Sequence, residues 1–453
     1  MKIIIVGCGK IGTTLLSSLV AEGHDVIAVD DSPAALAEIS DVYDIMGVCG
    51  NGADSDILLE AGAKNADVFA AVTGSDELNM LACFLAKRLG AKNTVCRIRN
   101  PEYNDQSLSF LRQQLQLSLS LNPELLAAKE IFNILKLPGA INIETFSRRS
   151  FEMIELKLRE DSPLVGNSLS ELRQKYKARF LIGVVRRGEE IYIPDGNFVL
   201  QAGDRIGITA PTSEGERFFK MLGVLKKQAK NVMILGASRT AYYLTKMLLS
   251  IGTHVTIIEK DPARCKHISR ELPGAVIIEG DGADQEVLLE EGLSSMDAFV
   301  SLTGMDEENI LISIFAASQK VPQVLTKINR SALAAMAGNL GLDCIISPRK
   351  IISDRICSYA RALASSDGGE MEALYTIMDE KAEALEFVVH RSLSQIGTPL
   401  KDLSLKPNIL IAGIIRGRKT IMPTGDDCIE AGDHLIVLAK EQRVTSLKDI
   451  FRR

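Results

Sequence analysis

No two of the eight cysteines form a CxxC pair, and Cys8, Cys49, Cys83 and Cys96 sit in apolar runs. That usage points to buried free thiols in a reducing compartment, not to a zinc knuckle or a disulfide framework. Histidine is scarce too: His24, His254, His267, His390 and His434 share no metal-ligand spacing. No apolar run approaches the ~18 uninterrupted residues that a membrane-spanning helix needs. Positive charge is not in excess. A formal net charge of −6 leaves no basic footprint and argues against nucleic acid as a partner. A local basic run such as Arg186–Arg187 reads as a solvated hairpin. The first strand begins at the N-terminus, which leaves no room for a signal peptide, so a cytoplasmic protein is expected. What is present is the composition of a folded soluble chain, 46% hydrophobic and 24% charged over 453 residues. That length implies roughly three domains.

The stretch Lys2–Asp30 organises the rest. The β-branched run Ile3–Val6 predicts a buried strand of a parallel sheet. Gly7, Gly9 and Gly12 follow in the spacing G-x-G-x-x-G, then a helical segment over Thr13–Glu22 and a second strand, Val26–Val29, ending at Asp30. Each piece has a reason. Gly7 permits a tight strand-to-helix turn, Gly9 lets backbone approach a pyrophosphate, and Gly12 lets the helix pack closely on the strand. The uncapped N–H groups and dipole of the helix start attract phosphate oxygens. An acid at the tip of the second strand accepts from a ribose 2′-OH and repels a 2′-phosphate. The pattern therefore favours NAD(H) or an adenine nucleotide over NADP.

Strands and helices then alternate: a helix over Pro33–Ser40, a strand over Tyr43–Val48, a loop at Asn51–Gly52 into another helix, and a strand over Val68–Val72. A helix over Met80–Leu89 and a strand over Thr94–Ile98 follow. This alternation predicts a doubly wound parallel sheet, whose ligands lie at the carboxyl ends of the strands. Gly7–Gly12, Asp30, Asn51, Thr73, Gly74 and Arg97 all fall at that edge. The pattern returns 229–230 residues on. Gly236 matches Gly7, Glu259 matches Asp30, GDGADQEVLLEEG matches GNGADSDILLEAG, Thr303 matches Thr73 and Lys327 matches Arg97. The second copy departs at its phosphate loop, GASRTA, where Ser238 and Ala241 replace glycines.

Each unit is followed by a further repeated stretch. Residues 182–208 resemble residues 412–438, both reading as strand, turn, strand, then a paired strand after an A-G-D turn. A strand precedes each (Phe151–Leu158 and Leu385–His390), and a terminal helix is expected after each. The fold class is thus α/β, with two Rossmann-like doubly wound parallel-sheet domains, each followed by a small α+β domain. The expected bounds are 1–137, 138–225, 229–364 and 365–453. Amphipathic helices over Pro123–Leu137 and Pro348–Leu363 join Rossmann to α+β domain. Their apolar faces suit either packing between domains or contact between subunits.

Chemistry beyond binding finds little support. A hydride-transferring dehydrogenase needs an acid/base and a substrate anchor, yet His390 and His434 occur in the second copy alone. Asp76, Glu77 and Asn79 recur as Asp306, Glu307 and Asn309. At a loop entering a helix they are expected to serve capping and the helix dipole. No enzyme is expected. A nucleotide sensor on a different cation channel or antiporter stays open, since no docking motif is readable.

In its order of GCGKIG, Asp30, GNGAD, AVTGSDELNM and RIRNPEY, duplicated, with two A-G-D hairpin domains, the chain closely resembles the TrkA family. These are peripheral subunits of bacterial Trk potassium uptake systems, built from RCK domains (regulators of potassium conductance), each an RCK_N and an RCK_C module. The resemblance spans essentially the whole chain. It implies a homo-oligomeric ring, a dimer or a tetramer, on the inner face of the cell membrane. There it would dock on the potassium-translocating subunit and change conformation as nucleotides bind. It further implies NAD(H) at the first Rossmann domain and ATP or ADP at either. Gly7, Cys8, Gly9, Lys10, Ile11 and Gly12 form the nucleotide loop and Asp30 meets the ribose. Asn51, Thr73 and Gly74 border the cofactor, and Arg97 sits near its phosphates. Gly236, Glu259, Asp281 and Thr303 mark the second site, where GASRTA departs from the family's glycine-rich form.

Overall fold

The computed structural model describes residues 1–453 except 104, 138, 147–150, 177–179, 212–228, 365–370, 379–380, 441–443 and 453. β1 (Lys2–Val6), β2 (Asp25–Asp30), β3 (Met46–Cys49), β4 (Val68–Ala71), β5 (Asn93–Arg97) and β6 (Leu119–Leu121) form a six-stranded parallel sheet. Its order is β3-β2-β1-β4-β5-β6. Order reverses between β1 and β4, the switch point at which such sheets bind ligands. Strands buried on both faces explain the near-continuous apolar runs: Ile3, Ile5 and Leu15 lie in the core on one side, and Ile4, Val6 and Phe69 on the other.

The second copy repeats this layout. β12 (Asn231–Leu235), β13 (His254–Glu259), β14 (Val276–Glu279), β15 (Ala298–Ser301), β16 (Gln323–Lys327) and β17 (Cys344–Ile346) run in the order β14-β13-β12-β15-β16-β17. The sixth strands, β6 and β17, were not anticipated; at three residues each they carry no periodic signal.

Each Rossmann unit is followed by a five-stranded antiparallel sheet. The first contains β7 (Ala140–Phe146), β8 (Phe151–Lys157), β9 (Leu181–Arg187), β10 (Glu190–Tyr192) and β11 (Arg205–Pro211). The second contains β18 (Met371–Ile377), β19 (Ala382–Val388), β20 (Ile409–Arg416), β21 (Lys419–Ile421) and β22 (His434–Ala439). The edge strands β7 and β18 are additions to the sequence reading. The terminal helix expected after the first sheet falls on residues 212–228, outside the described residues. After the second, the described residues form a 3-10 turn, Leu447–Ile450, closed by a capping box at Ser446.

The two amphipathic helices decide how the halves meet. Asn122 caps the helix Pro123–Lys136 by accepting from the Leu125 N–H. Its buried face (Ala127, Ala128, Ile131, Ile134) enters the core of the second Rossmann unit, beside Val232, Ile234, Leu244 and Leu248. The helix Pro348–Ala364 does the converse: Ile352, Ile356, Cys357 and Ala360 join Ile3, Leu15, Leu16 and Leu19 of the first unit. Each half thus lends a helix to the other. Polar contacts follow the same exchange. Gln323 Nε2 donates to the Ile134 carbonyl at 3.0 Å, and Arg361, held by Glu383 of its own half at 2.6 Å, pairs with Glu22 of the first half at 2.8 Å. Both helices therefore serve packing between domains of one chain.

The two antiparallel sheets also share a core, with Phe146, Phe151, Met153 and Val184 against Ile377, Ala412, Ile436 and Leu438. Glycine sets their closest approach: a Cβ on Gly413 would lie 2.4 Å from the Phe151 ring, and one on Gly183 2.4 Å from Leu438. Glu155, buried at this contact, accepts from the Met378 N–H of the other half at 3.1 Å.

Ile356 is fully buried across the exchange. Ile356→Ala is expected to cost about 2–5 kcal/mol, seen as a lower Tm and earlier proteolytic cleavage between the halves. An unchanged melting profile would contradict the exchanged packing.

Candidate functional site

The first glycine loop is shaped by contacts that no side chain could occupy. Gly7 has φ +97° and a Cβ there would lie 2.9 Å from the backbone of Thr73, while a Cβ on Gly12 would lie 1.8 Å from the Gly7 carbonyl oxygen. Gly9 differs, for a Cβ there would meet nothing within 4 Å. Packing does not require glycine at this position; its bareness keeps the approach open. Gly9 is also the N-cap of the helix Lys10–Ala21 and offers no side-chain cap, so that first turn keeps donors for an anion.

Asp30 holds this loop as well as facing outward. Its Oδ2 accepts from the Cys8 N–H at 2.6 Å and its Oδ1 from the Ser32 N–H at 2.9 Å. Glu259 repeats the arrangement, accepting from Ala237 N–H at 2.7 Å and Asp261 N–H at 2.9 Å. The Cys8 side chain points inward, and burial with the Asp30 charge pushes its thiol up to about 12.

A second brace ties the ends of β4 and β5. Asn79 is fully buried; its Oδ1 accepts from Thr73 N–H (2.8 Å) and Thr73 Oγ1 (2.7 Å), and its Nδ2 donates to the Arg97 carbonyl (3.0 Å). Asn309 does the same for Thr303 and Lys327, at 3.0, 2.8 and 2.9 Å. Asp76 accepts from the N–H groups of Arg99 and Asn100, both at 2.8 Å, and Asp306 from those of Asn329 and Arg330. The expectation that these residues serve capping needs correcting. Ser75 caps the first helix through the Leu78 N–H, and Met305 offers no side-chain cap to the second. Asp76 and Asn79 instead pin neighbouring loops, although Asp76 and Glu77 do lie in the first turn, where the dipole favours them.

The loops held by these braces open on one cavity of about 1450 Å³, lined by both Rossmann units. Gly7, Gly9, Lys10, Ile11, Asp30, Asn51, Thr73, Gly74 and Arg97 line it from one side, and Gly236, Glu259, Asp281 and Thr303 from the other. Cys8 and Gly12 stand behind the wall. Sequence reasoning missed the meeting itself, and with it Arg239, Arg264, His267 and Arg349 of the second half. Arg239 stands in the GASRTA loop at the position matching Lys10, so the repeat already marked it, whereas nothing local marks Arg264, His267 and Arg349.

Arg97 is the most telling wall residue. It is largely buried, and burial, with the Arg99 charge nearby, lowers its pKa to about 10 against the pull of Glu124. Its Nη1 donates to the Thr73 carbonyl at 3.1 Å, while its buried Nε has no acceptor among the described residues. A largely buried cation on the wall favours an anionic group in the cavity. In the second unit, burial also lowers the pKa of Lys327. The second loop is less receptive, because the Ser238 Oγ caps the helix by accepting from the Ala241 N–H. One of the donors left open in the first copy is taken in the second.

The architecture is that of a four-module protein, two Rossmann units each paired with an antiparallel module, in N–C–N–C order. Residues 3–111 and 232–348 match the TrkA-N domain, and residues 153–223 and 385–452 the TrkA-C domain. The chain is 33% identical over 452 residues to a Trk system potassium uptake protein TrkA homolog of Archaeoglobus fulgidus, covering all of both chains. It is 30% identical to the TrkA of Haemophilus influenzae, covering 100% of this chain and 99% of that one. Among solved structures it is similar in fold to the GsuK RCK domain (TM-score 0.65, 15% identity, 97% of this chain and 92% of that one). A GsuK channel bound to NAD matches similarly (TM-score 0.64, 15% identity, 97% and 77%). The chain belongs to the TrkA family. No helix among the described residues is long and apolar enough to cross a membrane.

Asn79→Ala would strand the Thr73 N–H and the Arg97 carbonyl, each costing about 1–3 kcal/mol if left unpaired. Faster hydrogen exchange at the Thr73 amide and a lower Tm are expected. Unchanged exchange there would remove Asn79 as the brace.

Proposed function

We propose that this chain is the nucleotide-sensing regulatory subunit of a Trk-type potassium uptake system and not an enzyme. It would act as a cytoplasmic homo-oligomeric ring, a dimer or a tetramer of this chain, on the inner face of the membrane. There it would dock on the potassium-translocating subunit. The proposed modules keep the bounds 1–137, 138–225, 229–364 and 365–453.

One observation carries the reading: both glycine loops open on a single cavity whose walls belong to different halves. A ligand that touches both walls has an affinity that depends on how the halves sit, and by linkage it biases that arrangement. The relatives named TrkA from Archaeoglobus fulgidus and Haemophilus influenzae supply the potassium uptake system, and the NAD-bound GsuK channel supports the ligand class.

We assign NAD(H) to the first unit. There the uncapped helix start, the bare Gly9, and Lys10 with the Arg97 guanidinium suit a pyrophosphate. Asp30 has lone pairs left beyond its two backbone contacts for a ribose hydroxyl. ATP or ADP suits either unit. In the second, Ser238 withdraws a donor from the phosphates, so weaker binding is expected there.

Two measurements test this. By calorimetry, Asp30→Ala should weaken NADH binding roughly 10- to 100-fold, since charge-assisted hydrogen bonds contribute about 1.5–3 kcal/mol. Unchanged affinity removes Asp30 from the site. In a strain lacking other potassium uptake systems, deletion of the gene should abolish growth at limiting potassium. Rescue by wild type but not by Asp30→Ala is expected. Normal growth of the deletion strain would overturn the assignment to potassium uptake and favour another cation channel or antiporter.

A further inference from the structure

The two antiparallel modules differ at one cluster where the duplication would make them alike. In the first, the bulge in β7 between Ala140 and Asn142 presents Ile141, a buried apolar side chain. Glu155 in the middle of β8 lies 3.5 Å from Arg205, the first residue of β11. Apolar bulge, buried carboxylate and fixed guanidinium balance in charge. In the second, the bulge in β18 between Met371 and Ala373 presents Glu372, the β19 carboxylate is Glu386, and the first residue of β22 is His434. Both carboxylates converge on one nitrogen: His434 Nδ1 lies 3.0 Å from Glu386 Oε1 and 3.2 Å from Glu372 Oε2.

We propose that Glu372, Glu386 and His434 form a binding site for a divalent transition-metal ion of the zinc class. Charge points the same way as geometry. Two carboxylates meet one imidazole where the first copy sets one carboxylate against one guanidinium, and Glu386 is buried at 3% exposure of its side chain. A buried carboxylate is retained when it is paired or when it coordinates metal. A metal ion would engage all three ligand atoms at once.

The spacing suits such an ion. Zinc held by nitrogen and oxygen at about 2.0–2.2 Å in a tetrahedron separates its ligand atoms by about 3.3 Å, and all three here lie within 4.8 Å of one another. The imidazole favours zinc, nickel or cobalt over magnesium and calcium, which prefer all-oxygen shells. Three protein ligands leave a fourth position for water, and the half-exposed Glu372 and His434 give the ion a way in. The bulge is the device that makes the site, since an extra residue re-aims one side chain against its partner strand. Sequence spacing gave no hint of it because the three ligands come from three strands. The ion would join the edge strand β18 to β19 and β22, close to the point where the exchanged helix Pro348–Ala364 enters this module.

The test uses the full chain stripped with a chelator and titrated with zinc by calorimetry, and with cobalt(II) followed by its visible absorption. Binding of one ion per chain, with tetrahedral cobalt bands and a raised Tm, is expected. His434→Arg, which restores the pairing of the first copy, should remove both the ion and the bands while the chain stays folded. Glu372→Gln should weaken binding and leave the metal-free Tm unchanged, and His254→Asn, far from the cluster, should change nothing. No stoichiometric binding by wild type, or undiminished binding by His434→Arg, would overturn the proposal. So would a preference for calcium over zinc.

Discussion

The reciprocal exchange of two helices is the constraint on which the remaining architecture rests. A Rossmann sheet must cover both faces. In each half, part of one face is covered by a helix from the other, so neither unit has a complete core alone. Ile131 and Ile134 lie among the side chains of the second unit, and Ile352 and Ile356 among those of the first. At roughly 1.5–3 kcal/mol for each large apolar side chain fully buried, these four residues alone tie the halves together strongly. The antiparallel modules add a second tie through Phe151 and Ile436. The two sheet edges that bear the glycine loops are thereby held face to face over a cavity instead of opening separately to solvent.

Within that frame the two copies differ in a patterned way. The braces behind the cavity wall are duplicated almost bond for bond: Asn79 with Thr73 and Arg97, Asn309 with Thr303 and Lys327, Asp30 with Cys8, Glu259 with Ala237. The differences lie on the wall itself, where Gly9 gives way to Ser238 and Arg97 to Lys327. A fork of donors becomes a point charge, and an open helix start becomes a capped one. The scaffold is the same in both halves while the ligand surface is not, so the cavity is chemically lopsided.

Much of this was legible in the sequence, and the limits follow from physics. The strand–glycine–helix–strand–acid order and its return after 229–230 residues placed Gly7, Asp30, Asn51, Thr73 and Arg97 on one edge, because alternation in a parallel sheet brings loops to a common side. Short strands such as β6 and β17 escaped, since three residues show no period. The second duty of Asp30 escaped as well: a carboxylate that meets a sugar and one that holds a loop look identical in sequence. The amphipathic stripe on Pro123–Lys136 announced a buried face but not its partner. Periodicity encodes that a face is covered and is silent about what covers it, so the facing of the two loops could not be read from it.

A cavity of this kind also bounds how a ligand can act. A molecule bound wholly to one wall would interact equally with every arrangement of the halves, and equal affinity shifts no equilibrium however tight the binding. Only contacts made across the gap differ between arrangements. The groups able to make them are those without a full set of partners on their own side, and among them is the uncapped first turn of the helix Lys10–Ala21. The exchanged helices pass directly beside this gap, with Glu124 at the start of one and Arg349 at the start of the other. Any change in the separation of the walls is therefore applied to the N-terminal ends of the same two helices that lead into the antiparallel modules. The helices that hold the halves together are also the shortest covalent route from the cavity to the rest of the chain.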